Sequence, residues 1–160
     1  MSTPTGRSRN LVVDEAIIDA DPSVVFKALI DECNGLTHWW MPSLEAKPRG
    51  GKLNGEEGSI IDLTVHRFGT PKLLVKIAKA IEGRALTWEV FEGDSLGVGE
   101  WTFEPIAPGK TKVIFRWDVV PKRLLYRLFP SSMLGRVHSG VMRAGFEGMN
   151  RYLSRRTTEP

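Results

Sequence analysis

The sequence predicts an α+β fold: a strongly curved seven-stranded antiparallel sheet wrapped around a long C-terminal helix, with two short helices after the first strand. Two observations predict it. From Ser59 to Val119, segments of alternating apolar and polar residues follow one another at strand length. The chain then closes on one glycine-spaced helical stretch, roughly Ser132 to Arg155. A curved sheet followed by a single helix is a way of enclosing an apolar cavity, and the functional expectation starts there.

The elements can be taken in order. Residues 1–9 read as a disordered tail and residues 10–156 as one domain, a length that can bury a sizeable core. Asn10 to Asp19 reads as the first strand. Asp21-Pro22-Ser23 starts a helix, since Asp21 can cap it and Pro22 suits its first position. Val24, Val25, Ala28 and Leu29 give that helix an apolar face, which ends near Asn34-Gly35. A second short helix or turn carries Leu36, Trp39 and Trp40 as far as Pro42. Leu44 to Leu53 is an edge strand at best, because Pro48 and Gly50-Gly51 interrupt it.

The central strands are expected in one register. Ile61, Leu63 and Val65 pair with Leu73, Val75 and Ile77, which sets Asp62 opposite Lys76. Ile77 then meets Val90 and Lys79 meets Trp88. Trp88 meets Trp101, and Leu86 meets Phe103. Finally Trp101 faces Phe115, Phe103 faces Val113 and Gly99 faces Trp117, with Glu104 opposite Lys112 and Glu100 opposite Arg116. A slip of one residue would turn every side chain to the other face. This register leaves Glu89 facing Glu100, a like-charge blemish. It also makes one face almost wholly apolar, with Trp88, Trp101 and Trp117 on it, and such a face must be covered.

The cover is the C-terminal helix. Its apolar stripe runs Leu134, His138, Met142, Phe146, Met149 and Leu153, at spacings of three and four. Gly135, Gly140, Gly145 and Gly148 interrupt it at up to ~1 kcal/mol each relative to alanine. Close approach or spare volume justifies such a run. Thr157 to Pro160 reads as a second tail.

At this point the sequence resembles the START and birch-pollen-allergen-like superfamily, and within it the polyketide cyclase/dehydrase-like branch. The likeness rests on Ala20-Asp21-Pro22-Ser23-Val24-Val25-Phe26, on Leu86-Thr87-Trp88, and on Gly99-Glu100-Trp101-Thr102-Phe103-Glu104-Pro105 followed by Gly109-Lys110-Thr111. It rests also on Gly145-Phe146-Glu147-Gly148-Met149-Asn150-Arg151-Tyr152-Leu153. It spans about residues 11–155. The resemblance implies a helix-grip fold with a hydrophobic pocket, where relatives bind lipids, sterols, polyketides or other apolar molecules. It carries no catalytic motif. Trp39-Trp40 and Pro48-Arg49-Gly50-Gly51 echo a neighbouring co-chaperone-like branch, but the charged Asn54-Gly55-Glu56-Glu57 loop replaces the continuation.

Other motifs reduce to turns. Gly93-Asp94-Ser95-Leu96 spells an esterase serine block, yet it sits between strands and no Asp-x-x-His follows, so the serine has no base. Gly109-Lys110-Thr111 mimics the end of a phosphate loop, but a strand follows where a helix is required. His38, His66, His138 and Cys33 have no metal-ligand spacing. With one cysteine, no internal disulfide can form, and MSTPTGRSRN has no apolar signal core, so a cytoplasmic protein is expected. No apolar run reaches the ~18 residues of a membrane span. Residues 121–160 hold eight basic residues against Glu147 and Glu159. That end is either a solvated helix face or a contact for a membrane or partner.

The expected function is binding of a small hydrophobic or aromatic ligand, without cofactor, metal or nucleic acid. The expected lining is Trp40, Leu63, Val75, Lys79, Trp88, Trp101, Phe103, Phe115, Trp117, His138, Met142 and Phe146. Lys79 snorkels at the rim, is turned outward by a bulge, or meets a ligand carboxylate. His66 falls on the outer face. His138 is a core histidine, a polar contact to the ligand, or a general acid/base. The alternative function is a polyketide cyclase or dehydratase in which His138, with Lys79 or Arg143, moves protons. A second alternative is a docking module that uses Lys122 to Phe129 and the basic C-terminal segment.

Overall fold

The computed structural model describes residues 10–50 and 55–158. In chain order its elements are β1 (Leu11–Ile18), α1 (Pro22–Cys33), β2 (Leu44–Arg49), β3 (Ile60–Val65), β4 (Lys72–Ile81) and β5 (Ala85–Gly93). Then come β6 (Ser95–Ala107), β7 (Lys110–Pro121), the single turn α2 (Leu124–Arg127) and the long helix α3 (Ser131–Thr158). The strands form one seven-stranded antiparallel sheet in the order β1-β7-β6-β5-β4-β3-β2. Its inner face curls around α3, which is the helix-grip fold. The tail expected over residues 1–9, and residues 51–53 of the expected edge strand, lie outside the described residues. So do residues 159–160. Thr157 and Thr158 belong to α3, not to a tail. The second short helix expected after β1 is a run of turns leading into β2.

The register is as expected between β6 and β7, where Trp101 faces Phe115 and Gly99 faces Trp117. On the other side of β6 it moves by two residues. Trp88 faces Gly99, and Leu86 faces Trp101. Likewise Ile61 faces Val75, and Val75 faces Val90. A shift of two keeps every side chain on its face, so the apolar wall survives while the charge pairs change. Asp62 faces Leu74, and its carboxylate meets Arg49 at 3.3 Å. Lys76 pairs with Glu89 at 3.5 Å, and Glu89 faces Val98, so the Glu89–Glu100 clash does not arise. Two bulges, at Leu74/Val75 and Ile77/Lys79, interrupt the β4–β5 pairing.

The ends of the sheet are tied to α1 and α3 by polar groups. The Asp21 side chain does not cap α1. It accepts a hydrogen bond from Gly109 N at 2.9 Å across the fold. Lys110 reaches Asp19 at 2.7 Å, and the Thr111 hydroxyl donates to Ala20 O at 2.7 Å. The segments that carry the family likeness at residues 20–22 and 109–111 therefore lock the β6–β7 hairpin to the start of α1. Along the open edge of β1, Asn150 donates to Ile17 O and accepts from Asp19 N, both at 3.0 Å.

The turn before β2 sets the height of α3. Glu32 is 2% exposed, a position a carboxylate occupies only when fully hydrogen-bonded. It accepts from Thr37 Oγ1 at 2.6 Å, Trp39 N at 3.1 Å and Trp40 N at 3.0 Å. Trp39 and Trp40 stack with ring centroids 5.4 Å apart. Trp40 Nε1 donates to Val141 O of α3 at 2.9 Å, and Trp39 Nε1 to Ala28 O of α1 at 3.3 Å. A Cβ at Gly145 would overlap the Trp40 indole, and one at Gly148 would overlap the Trp39 carbonyl oxygen. Close approach, not spare volume, explains these two glycines. Gly140 differs: nothing lies within 4 Å of its would-be Cβ. Gly140→Ala should raise stability by up to ~1 kcal/mol, whereas Gly148→Ala should lower it by at least ~1–3 kcal/mol. Thermal or urea unfolding of the two variants checks the opposite signs.

Candidate functional site

The structure encloses a cavity of about 450 Å³ between the inner face of the sheet and the first half of α3. Beyond Met142 the helix packs solidly, with Phe146, Met149 and Leu153 all buried. Before it, Leu134, Gly135, Val137, His138 and Val141 roof the open space. The mouth lies between α2, the start of α3 and the β3–β4 hairpin, where Arg67, Phe68, Pro71, Tyr126, Ser131 and Ser132 meet. Tyr126 OH donates to Phe68 O at 2.8 Å, and Arg123 donates to Gly69 O at 2.6 Å, so α2 and the hairpin are latched together.

Of the residues the sequence singles out, Trp40, Leu63, Trp88, Phe115, Trp117, His138 and Met142 border this cavity. Val75, Trp101, Phe103 and Phe146 are buried in the packed core behind it. There Trp101 stacks on Phe115 with centroids 4.2 Å apart and meets Phe146 edge-on at 6.4 Å. Of these rings only Phe115 lines the cavity. Lys79 is not inward. The bulge at Ile77/Lys79 sets it opposite Thr87 and leaves it exposed on the outer side. Arg143 is exposed as well. His66 lies on the outside, 3.5 Å from Glu45.

His138 stacks on Trp117, with ring centroids 5.4 Å apart and planes 9° from parallel. Its Nε2 lies 3.5 Å from Asp14 Oδ2, without the alignment of a hydrogen bond, and neither atom has another partner among the described residues. The sequence reading missed Asp14, although its signal was there. Val12, Asp14, Ala16 and Ile18 alternate along β1, and three apolar neighbours on that face mark the carboxylate as inward. Its match to His138 is not visible in the chain, because the two lie on β1 and α3. Burial pushes the imidazolium of His138 down to about 4, against the pull of Asp14 toward the charged form. The imidazole is therefore neutral near pH 7.

The remaining polar candidates are structural. Asp94 of the Gly93–Leu96 motif accepts from Lys72 N at 2.8 Å and serves the β5–β6 turn. Cys33 is buried, and burial raises its thiol far above the usual range, so it is no nucleophile. Among the described residues, no three His, Cys, Asp or Glu side chains gather to hold a metal ion. No helix among them is long and apolar enough to cross a membrane.

The sequence pattern of a family described as "polyketide cyclase / dehydrase and lipid transport" matches residues 10–154. Among solved structures, a Thermus thermophilus protein is similar over 92% of this chain and 99% of its own, with TM-score 0.73 and 13% identity. A START superfamily protein from Mycobacterium smegmatis is similar over 91% and 97%, with TM-score 0.71 and 15% identity. The Zhui aromatase/cyclase from a Streptomyces species is similar over 92% and 94%, with TM-score 0.70 and 16% identity. Identities this low speak for the fold alone. Among curated proteins, no sequence matches the chain.

The histidine gives a pH signature. An unfolded chain takes up the His138 proton near pH 6.5, whereas the folded chain resists until about pH 4. The unfolded state binds more protons between those values, so stability falls as pH drops through that window. The slope from this one group approaches ~1.4 kcal/mol per pH unit. His138→Phe removes it. The stability difference between wild type and His138→Phe, from urea titrations, should therefore move against the wild type from pH 6.5 to 4.

Proposed function

The chain belongs to the polyketide cyclase/dehydrase and lipid transport family, and we propose that it binds a small hydrophobic or aromatic molecule in the cavity beneath α3. The binding unit is the single domain of residues 10–156, and its place is the cytoplasm, where the free thiol of Cys33 is at home. The observation that carries the reading is the cavity itself: about 450 Å³, walled by aromatic and aliphatic side chains. That size and lining suit a drug-sized ligand with one or two polar groups. Within it, Trp40, Leu63, Trp88, Phe115, Trp117 and Met142 supply apolar contact. His138, neutral and stacked, offers the polar handle for a ligand hydroxyl or carbonyl.

Native mass spectrometry of the purified protein should show a co-purifying small molecule, or uptake of an added polycyclic aromatic or fatty compound. Gly135 borders the cavity, and its would-be Cβ meets only Val12 at 3.5 Å. Gly135→Leu should thus fold while filling the space, and retain no ligand. A variant that binds as well as wild type would remove the cavity from the account.

A second reading, a cyclase- or dehydratase-type enzyme, has one specific observation behind it. His138 has a carboxylate partner, Asp14, in place of Lys79 or Arg143. A hydrogen bond from Nε2 to Asp14, once the 3.5 Å contact aligns, would hold the neutral ring's proton there and leave Nδ1 as the acceptor, the arrangement a general base needs. Apo distances of this kind shorten when substrate closes the site. On a poly-keto substrate, His138→Gln should lower turnover by ~10²–10⁴-fold while binding persists. Asp14 acts as a positioning residue, so Asp14→Asn should also move the acid limb of the pH–rate profile to lower pH. Unchanged rates in both variants would leave binding as the sole reading.

A further inference from the structure

We propose that α2 and the β3–β4 hairpin form a docking tip for an anionic lipid bilayer, placed around the mouth of the cavity. Leu124 and Leu128 are 68% and 73% exposed, more than any other large apolar side chain described. They are four residues apart, so one turn presents both on the same side. Phe68, 40% exposed, sits beside them and meets Phe129 edge-on at 5.0 Å. Among the described residues, nothing covers the Leu124 and Leu128 side chains.

Their surroundings are positive. Lys122, Arg123, Arg127 and Arg136 are all exposed, and the stretch from Val119 to Phe146 contains no Asp or Glu. The nearest acid with a contact here, Asp94, is engaged by Lys72 N at 2.8 Å and by Arg123 at 4.0 Å. Each basic residue close to an anionic membrane strengthens binding by roughly fivefold. Apolar side chains ringed by cations on a single turn suit insertion into the headgroup layer of a fluid surface. A protein partner would call for a shaped groove, and a one-turn helix presenting two leucines on one side offers none.

The tip is tied together because Tyr126 and Arg123 bond to the carbonyls of Phe68 and Gly69. Phe68 and Tyr126 also line the cavity, so a docked protein would face its cavity to the lipid. The cavity reading supplies the reason for this placement. Docking itself needs no ligand, and the two ideas can fail separately.

Flotation of the full chain with phosphatidylcholine vesicles, with and without phosphatidylglycerol, tests the proposal. The protein should float with the anionic vesicles at low salt, detach as salt rises, and ignore phosphatidylcholine alone. Leu124→Asp combined with Leu128→Asp should weaken binding by at least about tenfold. Both side chains are exposed and neither borders the cavity, so the melting temperature should hold. Lys122→Glu with Arg127→Glu should abolish binding and its salt dependence. Wild-type protein that stays out of anionic vesicles at low salt overturns the docking, whatever native mass spectrometry finds in the cavity. Equal binding by the leucine variant overturns it too, since diffuse charge would then suffice. Flotation without any bound small molecule leaves docking standing and removes the cavity reading instead.

Discussion

The buried carboxylate of Glu32 is the constraint on which this architecture depends. A charge taken out of water is tolerated only with full hydrogen bonding, and here two backbone amides and a hydroxyl supply it. Those bonds fix the Trp39-Trp40 turn, and the turn acts as a wedge against α3. Gly145 and Gly148 let α3 rest directly on this turn, against the Trp40 indole and the Trp39 carbonyl. N-terminal to that contact, from Leu134 to Met142, the helix roofs the cavity. Packing and emptiness thus have one cause. Loss of the Glu32 carboxylate would orphan the amides of Trp39 and Trp40 and release the wedge, so cavity and core would be lost together.

Much of the fold was legible because a sheet with one buried face writes its pattern in period two. The same periodicity limits what can be read. Ile61 facing Val75 and Ile61 facing Ile77 leave every side chain on the same side, so alternation cannot choose between them. No bulge marks the β3–β4 pairing, so only the packing of the whole wall selects its register, and the bulge between β4 and β5 at Ile77/Lys79 has no signature in Ile77-Ala78-Lys79. That is why Lys79 was expected inside and lies outside. Glu32 was invisible for another reason: a glutamate near the end of an amphipathic helix reads as solvated. Its burial depends on a turn that begins five residues later.

The candidate site divides along the same lines. The aromatic wall could be read from the strands, yet its split into cavity and core could not. Trp101 and Phe115 stack on each other, but only Phe115 borders the open space. That division follows the wedge, which no local pattern encodes. Asp14 was readable as an inward carboxylate on β1. Its pairing with His138 requires knowing that α3 crosses β1 at that height, a long-range fact set by Asn150 and the glycine contacts further along.

A cavity held open by its own scaffold is stability the fold forgoes. The wedge makes that choice explicit. Had the Trp39-Trp40 turn been shorter in reach, the first half of α3 could have settled onto Phe115 and Trp117 as its second half settles onto Trp101. The apolar surface left uncovered there is large, and burial would stabilise the chain by ~25 cal/mol for each Å² removed from water. A chain whose buried Glu32 holds the Trp39-Trp40 turn in place keeps this space preformed, and preformed space lowers the cost of ordering when something binds. The polar pair sits at the roof of this space, with neutral His138 on Trp117 and Asp14 behind it. The ligand we propose for this space would accordingly be apolar over most of its surface, with one uncharged oxygen directed at the helix.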